Sequence, residues 1–173
     1  KILKIFIILL SIKMFHENIK IFYDGVNIKE FENIDYIRGY TTNPTLMNKG
    51  KIQSNNYKDF ALEFLNYSGN LPVSFEVFAD DLDEMIIQAR EIASWSNTIY
   101  VKIPITNSKG ESTFKVIKEL NKLKIKENIT AIFTLEQVDI AVDALKNNEC
   151  PAIISLFCGR IADTGINPKE ICL

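Results

Sequence analysis

Six short runs of strand-forming residues recur along the chain, at Ile19–Tyr23, Arg38–Thr42, Pro72–Phe78, Thr98–Pro104, Asn128–Phe133 and Ala152–Phe157. Between most of them lie stretches of helical periodicity. Leu82–Trp95 sets Leu82, Met85, Ile86, Ala89, Ile92 and Ala93 on one side and Glu84, Gln88 and Glu91 on the other. Tyr57–Tyr67, Phe114–Leu123 and Leu135–Lys146 behave likewise, whereas Ile28–Ile37 is short and only weakly helical. Strand–helix alternation with short connections leaves little choice of fold: it predicts a parallel sheet with right-handed crossovers. No low-complexity linker divides the chain. At 173 residues, with 47% hydrophobic and 24% charged side chains, it suits one domain with a sizeable core. The βα units repeat in topology, with no evident sequence repeat.

Parallel strands covered on both faces are nearly all apolar. Ile99-Tyr100-Val101-Lys102-Ile103-Pro104 breaks that rule with one lysine. Dehydrating an ammonium is expensive, and a buried lysine escapes the expense by losing its proton. A neutral, desolvated lysine amine is the nucleophile that attacks carbonyls to form a Schiff base. The structural alternative is that Lys102 snorkels to water at the strand end or pairs with a carboxylate.

The other strands carry polar groups in the same way. Asp24 follows the first strand, and Asn43 the second. Glu76 lies in the third, Thr130 in the fifth and Ser155 in the sixth. Taken singly, each has a structural explanation: Asp24 and Asn43 are turn formers, Glu76 could be satisfied by a backbone amide, and Thr130 and Ser155 are small. Together, in six successive strands, they describe a polar pocket at the strands' C-terminal ends, where parallel α/β folds bind ligands. No histidine or cysteine belongs to the set, so neither metal catalysis nor a cofactor is expected. His16 precedes the first strand and reads as a surface residue.

A net charge of −2 gives no electrostatic reason to expect nucleic acid or an anionic membrane as partner. Cys150, Cys158 and Cys172 lack metal-ligand spacing and read as reduced thiols of a cytoplasmic protein. Residues 1–13 pair a basic start with the apolar run Ile5–Leu10, which is too short to span a bilayer and lacks an Ala-x-Ala-like cleavage site. Met14 opens a normal soluble sequence, so residues 1–13 are expected to be upstream sequence and 14–173 the domain proper.

Ile21-Phe22-Tyr23-Asp24, Thr41-Thr42-Asn43-Pro44-Thr45, Val73-Ser74-Phe75-Glu76-Val77, Val101-Lys102-Ile103-Pro104, Asn128-Ile129-Thr130 and Ser155-Leu156-Phe157-Cys158-Gly159-Arg160 resemble, in order, the transaldolase family. The likeness is to its small transaldolase and fructose-6-phosphate aldolase branch, and it covers about residues 19–165. It implies a (β/α)8 TIM barrel of the class I aldolase type and a reaction on sugar phosphates. Lys102 would be the Schiff-base lysine and Asp24 the general acid–base. Glu76 and Thr130 would hold the proton-relaying water. Asn43 and Ser155 would bind the dihydroxyacetone hydroxyls, and Arg160 the substrate phosphate.

The chain departs from the family in strand count, with six βα units where the barrel needs eight, so an incomplete barrel truncated at its C-terminus is expected. A homo-oligomer is expected of the complete protein. Transaldolase is the favoured activity, because the aldolase members resemble this pattern with glutamine at the position of Glu76. Fructose-6-phosphate aldolase releasing free dihydroxyacetone, or a non-catalytic barrel fragment, are the alternatives.

Overall fold

The computed structural model describes residues 19–27 and 35–172. The segment 1–13, His16, most of the weakly helical stretch 28–37 and the side chain of Cys172 lie outside the described residues. In chain order the elements are β1 (Ile21–Asp24), β2 (Ile37–Thr41), α1 (Pro44–Lys49), a 3-10 turn (Ser54–Asn56), α2 (Tyr57–Ser68), β3 (Val73–Glu76), α3 (Leu82–Ser94), β4 (Ile99–Pro104), α4 (Phe114–Lys122), β5 (Glu127–Ile132), α5 (Leu135–Ala144), β6 (Ala152–Leu156), α6 (Cys158–Asp163) and α7 (Lys169–Cys172). The four longer helices start where the periodicity placed them. Asp81 caps α3 by accepting from the amides of Asp83 and Glu84 at 2.9 and 3.1 Å. Thr134 and Gln137 close a capping box on α5.

The six strands form one sheet in sequence order, every pair parallel. The sheet curls into an incomplete β/α barrel, in agreement with the fold expected from the sequence. Side-chain alternation divides each strand between two environments. On the convex face Tyr40, Val73, Phe75, Val101, Ile103 and Ile129 join the buried faces of the helices in one apolar core. Ala61 and Phe64 reach it from α2, Met85, Ala89 and Ile92 from α3, Val116, Ile117 and Leu120 from α4, and Ala141 and Ala144 from α5. The concave face carries the opposite parity. Register pairs Asp24 with Thr41, Thr41 with Ser74, Glu76 with Lys102, Lys102 with Asn128, and Pro104 with Thr130. The core and the polar face are thus back-to-back readings of the same strands. Gly39 fits this face, because a Cβ there would lie 2.3 Å from a ring carbon of Phe22, its partner across β1 and β2.

The ladder is irregular at two places, the first between Ile21 and Phe22 in the β1–β2 pairing. The β5–β6 register slips between Ile129 and Ile132, and Ala131 takes a φ of 58° inside the slip. This is a bulge with a left-handed residue, placed immediately after Thr130. Left-handed backbone costs an alanine roughly 1–2 kcal/mol, and glycine gives back about half of that in lost chain freedom. Ala131→Gly is therefore expected to stabilise the protein by about 0.5–1 kcal/mol in urea unfolding. A loss of stability would mean that packing of the methyl group outweighs the strain.

Candidate active site

Lys102 sits at the fourth position of β4, between Val101 and Ile103, which are fully buried on the convex side. Its own side chain is 6% exposed and points to the concave face, where three acceptors surround Nζ. The amine donates to the Thr42 carbonyl at 3.0 Å and to Thr41 Oγ1 at 3.2 Å, and Glu76 Oε2 lies 3.5 Å away. All three polar neighbours of the amine are thus hydrogen-bond acceptors. Lys102 is thus both buried and paired with a carboxylate, which resolves the two structural possibilities left open by its sequence.

Glu76 closes β3 in register with Lys102, its side chain 17% exposed. Burial pushes its carboxyl above the usual range; the adjacent Lys102 opposes that push, and the charge of Asp24 adds to it. The charge of Asp24, at the exposed end of β1, thus reaches this site. A carboxylate with a raised pKa beside a lysine is a ready acceptor for the lysine's proton. The backbone of Glu76 is fixed from the helix layer. Tyr57 of α2 donates its hydroxyl to the Glu76 carbonyl at 2.8 Å while packing edge-on against Phe75, Phe78 and Trp95.

Beside the lysine a second polar group crosses the concave face. Asn128 Nδ2 donates to Ser74 Oγ at 3.0 Å, and Ser155 Oγ donates to Asn128 Oδ1 at 2.7 Å. Thr130, two residues beyond Asn128, is 1% exposed, and its hydroxyl has no hydrogen-bond partner among the described residues. A buried, unpartnered hydroxyl on the same face of the sheet as the lysine–carboxylate pair suits a site that receives a water or substrate oxygen.

The structure therefore pairs Lys102 with Glu76, ties Ser155 to Asn128 in register with Lys102, and sets Thr130 two residues further along the same strand, with Asp24 close enough to act on Glu76. Asn43 has a structural duty: its Oδ1 caps α1 by accepting from the Leu46 amide at 2.9 Å. Arg160 is on α6, just past β6, with its side chain 75% exposed and 3.8 Å from Asp163. It makes no contact with the lysine cluster in this structure. Sequence reasoning passed over Thr41, Ser74, Asn128 and Tyr57. Ser74 and Asn128 stand two residues before Glu76 and Thr130, so strand periodicity would have placed them on the same face. The Thr41 and Tyr57 contacts depend on topology and leave no local signal.

A parallel β/α sheet with a buried lysine paired to a carboxylate among the C-terminal halves of its strands defines a class: barrel proteins with their chemistry at that end. Within that class, the chain belongs to the Transaldolase/Fructose-6-phosphate aldolase family, which matches residues 21–171. It is 35% identical over 149 residues to a protein named "Probable transaldolase" from Streptococcus agalactiae, covering 84% of this chain and 63% of the relative. Proteins of the same name from Lactiplantibacillus plantarum and Thermoplasma acidophilum are 36% and 34% identical over 155 residues, covering 88% of this chain and 65% of each relative. The chain thus spans a little under two thirds of the length of these relatives. Among the described residues no helix is long and apolar enough to cross a membrane.

Proposed function

We propose that this is the site of a transaldolase, which moves a three-carbon dihydroxyacetone unit from a ketose phosphate to an aldehyde phosphate through a Schiff base on Lys102. The observation that carries the reading is the pairing of buried Lys102 with half-buried Glu76 at 3.5 Å. To attack, the lysine must give up a proton, and a carboxylate whose pKa is raised by burial can take it. The amine adds to C2 of the ketose. The carbinolamine then loses its hydroxyl as water, with the proton delivered from Glu76 through a water held with the Thr130 hydroxyl. Asp24 removes the C4 hydroxyl proton, the C3–C4 bond breaks, and the aldehyde leaves. The electron pair stays on C3 as an enamine, which adds to the acceptor aldehyde. Hydrolysis of the new imine frees the product ketose and returns the lysine.

Asn43 and Ser155, with Asn128, hold the hydroxyls of the three-carbon unit. Arg160 holds the phosphate; its exposed pairing with Asp163 is weak and is readily exchanged for a phosphate oxygen. The substrates are fructose 6-phosphate or sedoheptulose 7-phosphate with glyceraldehyde 3-phosphate or erythrose 4-phosphate, which would place the enzyme in the pentose phosphate pathway in the cytoplasm as a homo-oligomer. Glutamate rather than glutamine at position 76 favours transfer over release of free dihydroxyacetone, because only the carboxylate can accept and return a proton.

Borohydride reduction in the presence of fructose 6-phosphate tests the reading. The whole protein should acquire a dihydroxyacetone-derived mass on the peptide that contains Lys102. Adduct on another lysine, or turnover with no adduct, would refute it.

A further inference from the structure

Asn128 is hydrogen-bonded on both sides of its amide, to side chains from two other strands. Ser155 spends its proton on Asn128 Oδ1 at 2.7 Å, and Asn128 spends one amide proton on Ser74 Oγ at 3.0 Å. Ser74 lies in β3, two residues before Glu76 on the concave face, and is 1% exposed; Asn128 is 4% exposed and in register with Lys102. The bond therefore reaches across β4 beside the lysine, and little water is present to replace it.

We propose that Ser74 is a positioning residue for substrate recognition: it holds the Asn128 amide in the orientation that makes Ser155 a hydrogen-bond acceptor toward substrate. The proposal rests on the reading of the site given above and extends it to a residue that reading leaves without a role. A serine has one proton to donate and two lone pairs. With its proton committed to Asn128, Ser155 offers lone pairs, while Asn128 keeps one amide proton. That combination suits a hydroxyl, which donates to Ser155 and accepts from Asn128. It disfavours a group at the same position that lacks a proton. Without Ser74, a buried amide proton loses its partner and the Asn128 amide is free to rotate. Ser155 then recovers its proton, and the preference for a hydroxyl is lost.

The test is a ratio. Turnover of a ketose phosphate donor is compared with that of its 1-deoxy analogue, in the whole protein and in Ser74→Ala and Ser74→Thr. One hydrogen bond is worth several-fold to about tenfold, so Ser74→Ala is expected to shrink the parent's preference for the hydroxylated donor by about that factor. The loss should fall mainly on the hydroxylated donor. Ser74→Thr keeps the hydroxyl on a residue that suits a strand and should restore the preference. An equal loss on both donors, or a threonine variant that behaves like alanine, would make Ser74 merely structural and overturn the proposal. Borohydride trapping on the parent separates the two readings. A missing Lys102 adduct removes the imine mechanism, whereas an adduct with an unchanged donor ratio in Ser74→Ala removes only the role of Ser74.

Discussion

Lys102→Met is expected to abolish turnover, lowering kcat by on the order of 10⁴- to 10⁶-fold, the scale on which loss of a covalent nucleophile acts. Methionine matches the length of the side chain and suits a buried strand, so the backbone of β4 should persist. The consequence for stability runs through Glu76. Lys102 is what holds its carboxyl down; once it is gone, burial and the Asp24 charge both act upward. The carboxyl is partly exposed and can take a proton, so the expected destabilisation is about 1–3 kcal/mol, less than for a charge stranded in a sealed core. Lys102→Met combined with Glu76→Gln removes the stranded charge and should recover most of that loss with no recovery of turnover. Single-turnover kinetics beside urea unfolding of the two variants distinguish the effects. A Lys102→Met enzyme within tenfold of the parent would mean that another group attacks the substrate.

Glu127 should dominate the pH dependence of stability. It opens β5 in register with Val101 and Ala152, is fully buried on the convex side, and neither carboxyl oxygen has a hydrogen-bond partner among the described residues. The buried side chains of α4 and α5, which cover this part of the sheet, are Val116, Ile117, Leu120, Ala141 and Ala144, all apolar. Burial alone pushes its pKa up to about 8, from an ordinary 4.5. Between those two values the folded state holds a proton that the unfolded chain has released. Stability therefore falls as pH rises through that window, by at most about 1.4 kcal/mol per pH unit. At pH 7 the accumulated loss is roughly 3 kcal/mol. Glu127→Leu is expected to regain most of it, and the gap between variant and parent should widen steadily from pH 5 to pH 8 in denaturant unfolding. A gap independent of pH would show that the carboxyl ionises freely in the folded protein.

Most of the architecture was legible because the strands are short apolar runs and the long helices are amphipathic. The helical pattern of Leu82–Trp95 matches the helix Leu82–Ser94, and the strand pattern of Thr98–Pro104 matches the strand Ile99–Pro104. The short helices Pro44–Lys49 and Cys158–Asp163 went unread, since six residues show too little periodicity. Lys102 and Glu76 were legible as polar residues where apolar ones belong. Glu127 breaks the same rule and was missed, because it precedes the run that looked like a strand and sits among Lys126, Asn128 and other polar neighbours. Asn43 shows the limit of reading a residue by type: its side chain caps a helix, and no pattern along the chain separates that duty from the ligand contact the family resemblance implies.

Each strand of the sheet bonds to the one synthesised just before it. No pairing has to wait for a distant part of the chain, so the entropy lost in closing each loop is that of a single βα unit. A nascent polypeptide could extend this sheet one unit at a time as it leaves the ribosome, the convex core growing with each helix laid down. Glu76 and Lys102 come from consecutive units, so the ion pair can form as soon as β4 docks on β3. In this topology the Lys102–Glu76 pair needs nothing synthesised after β4 in order to form.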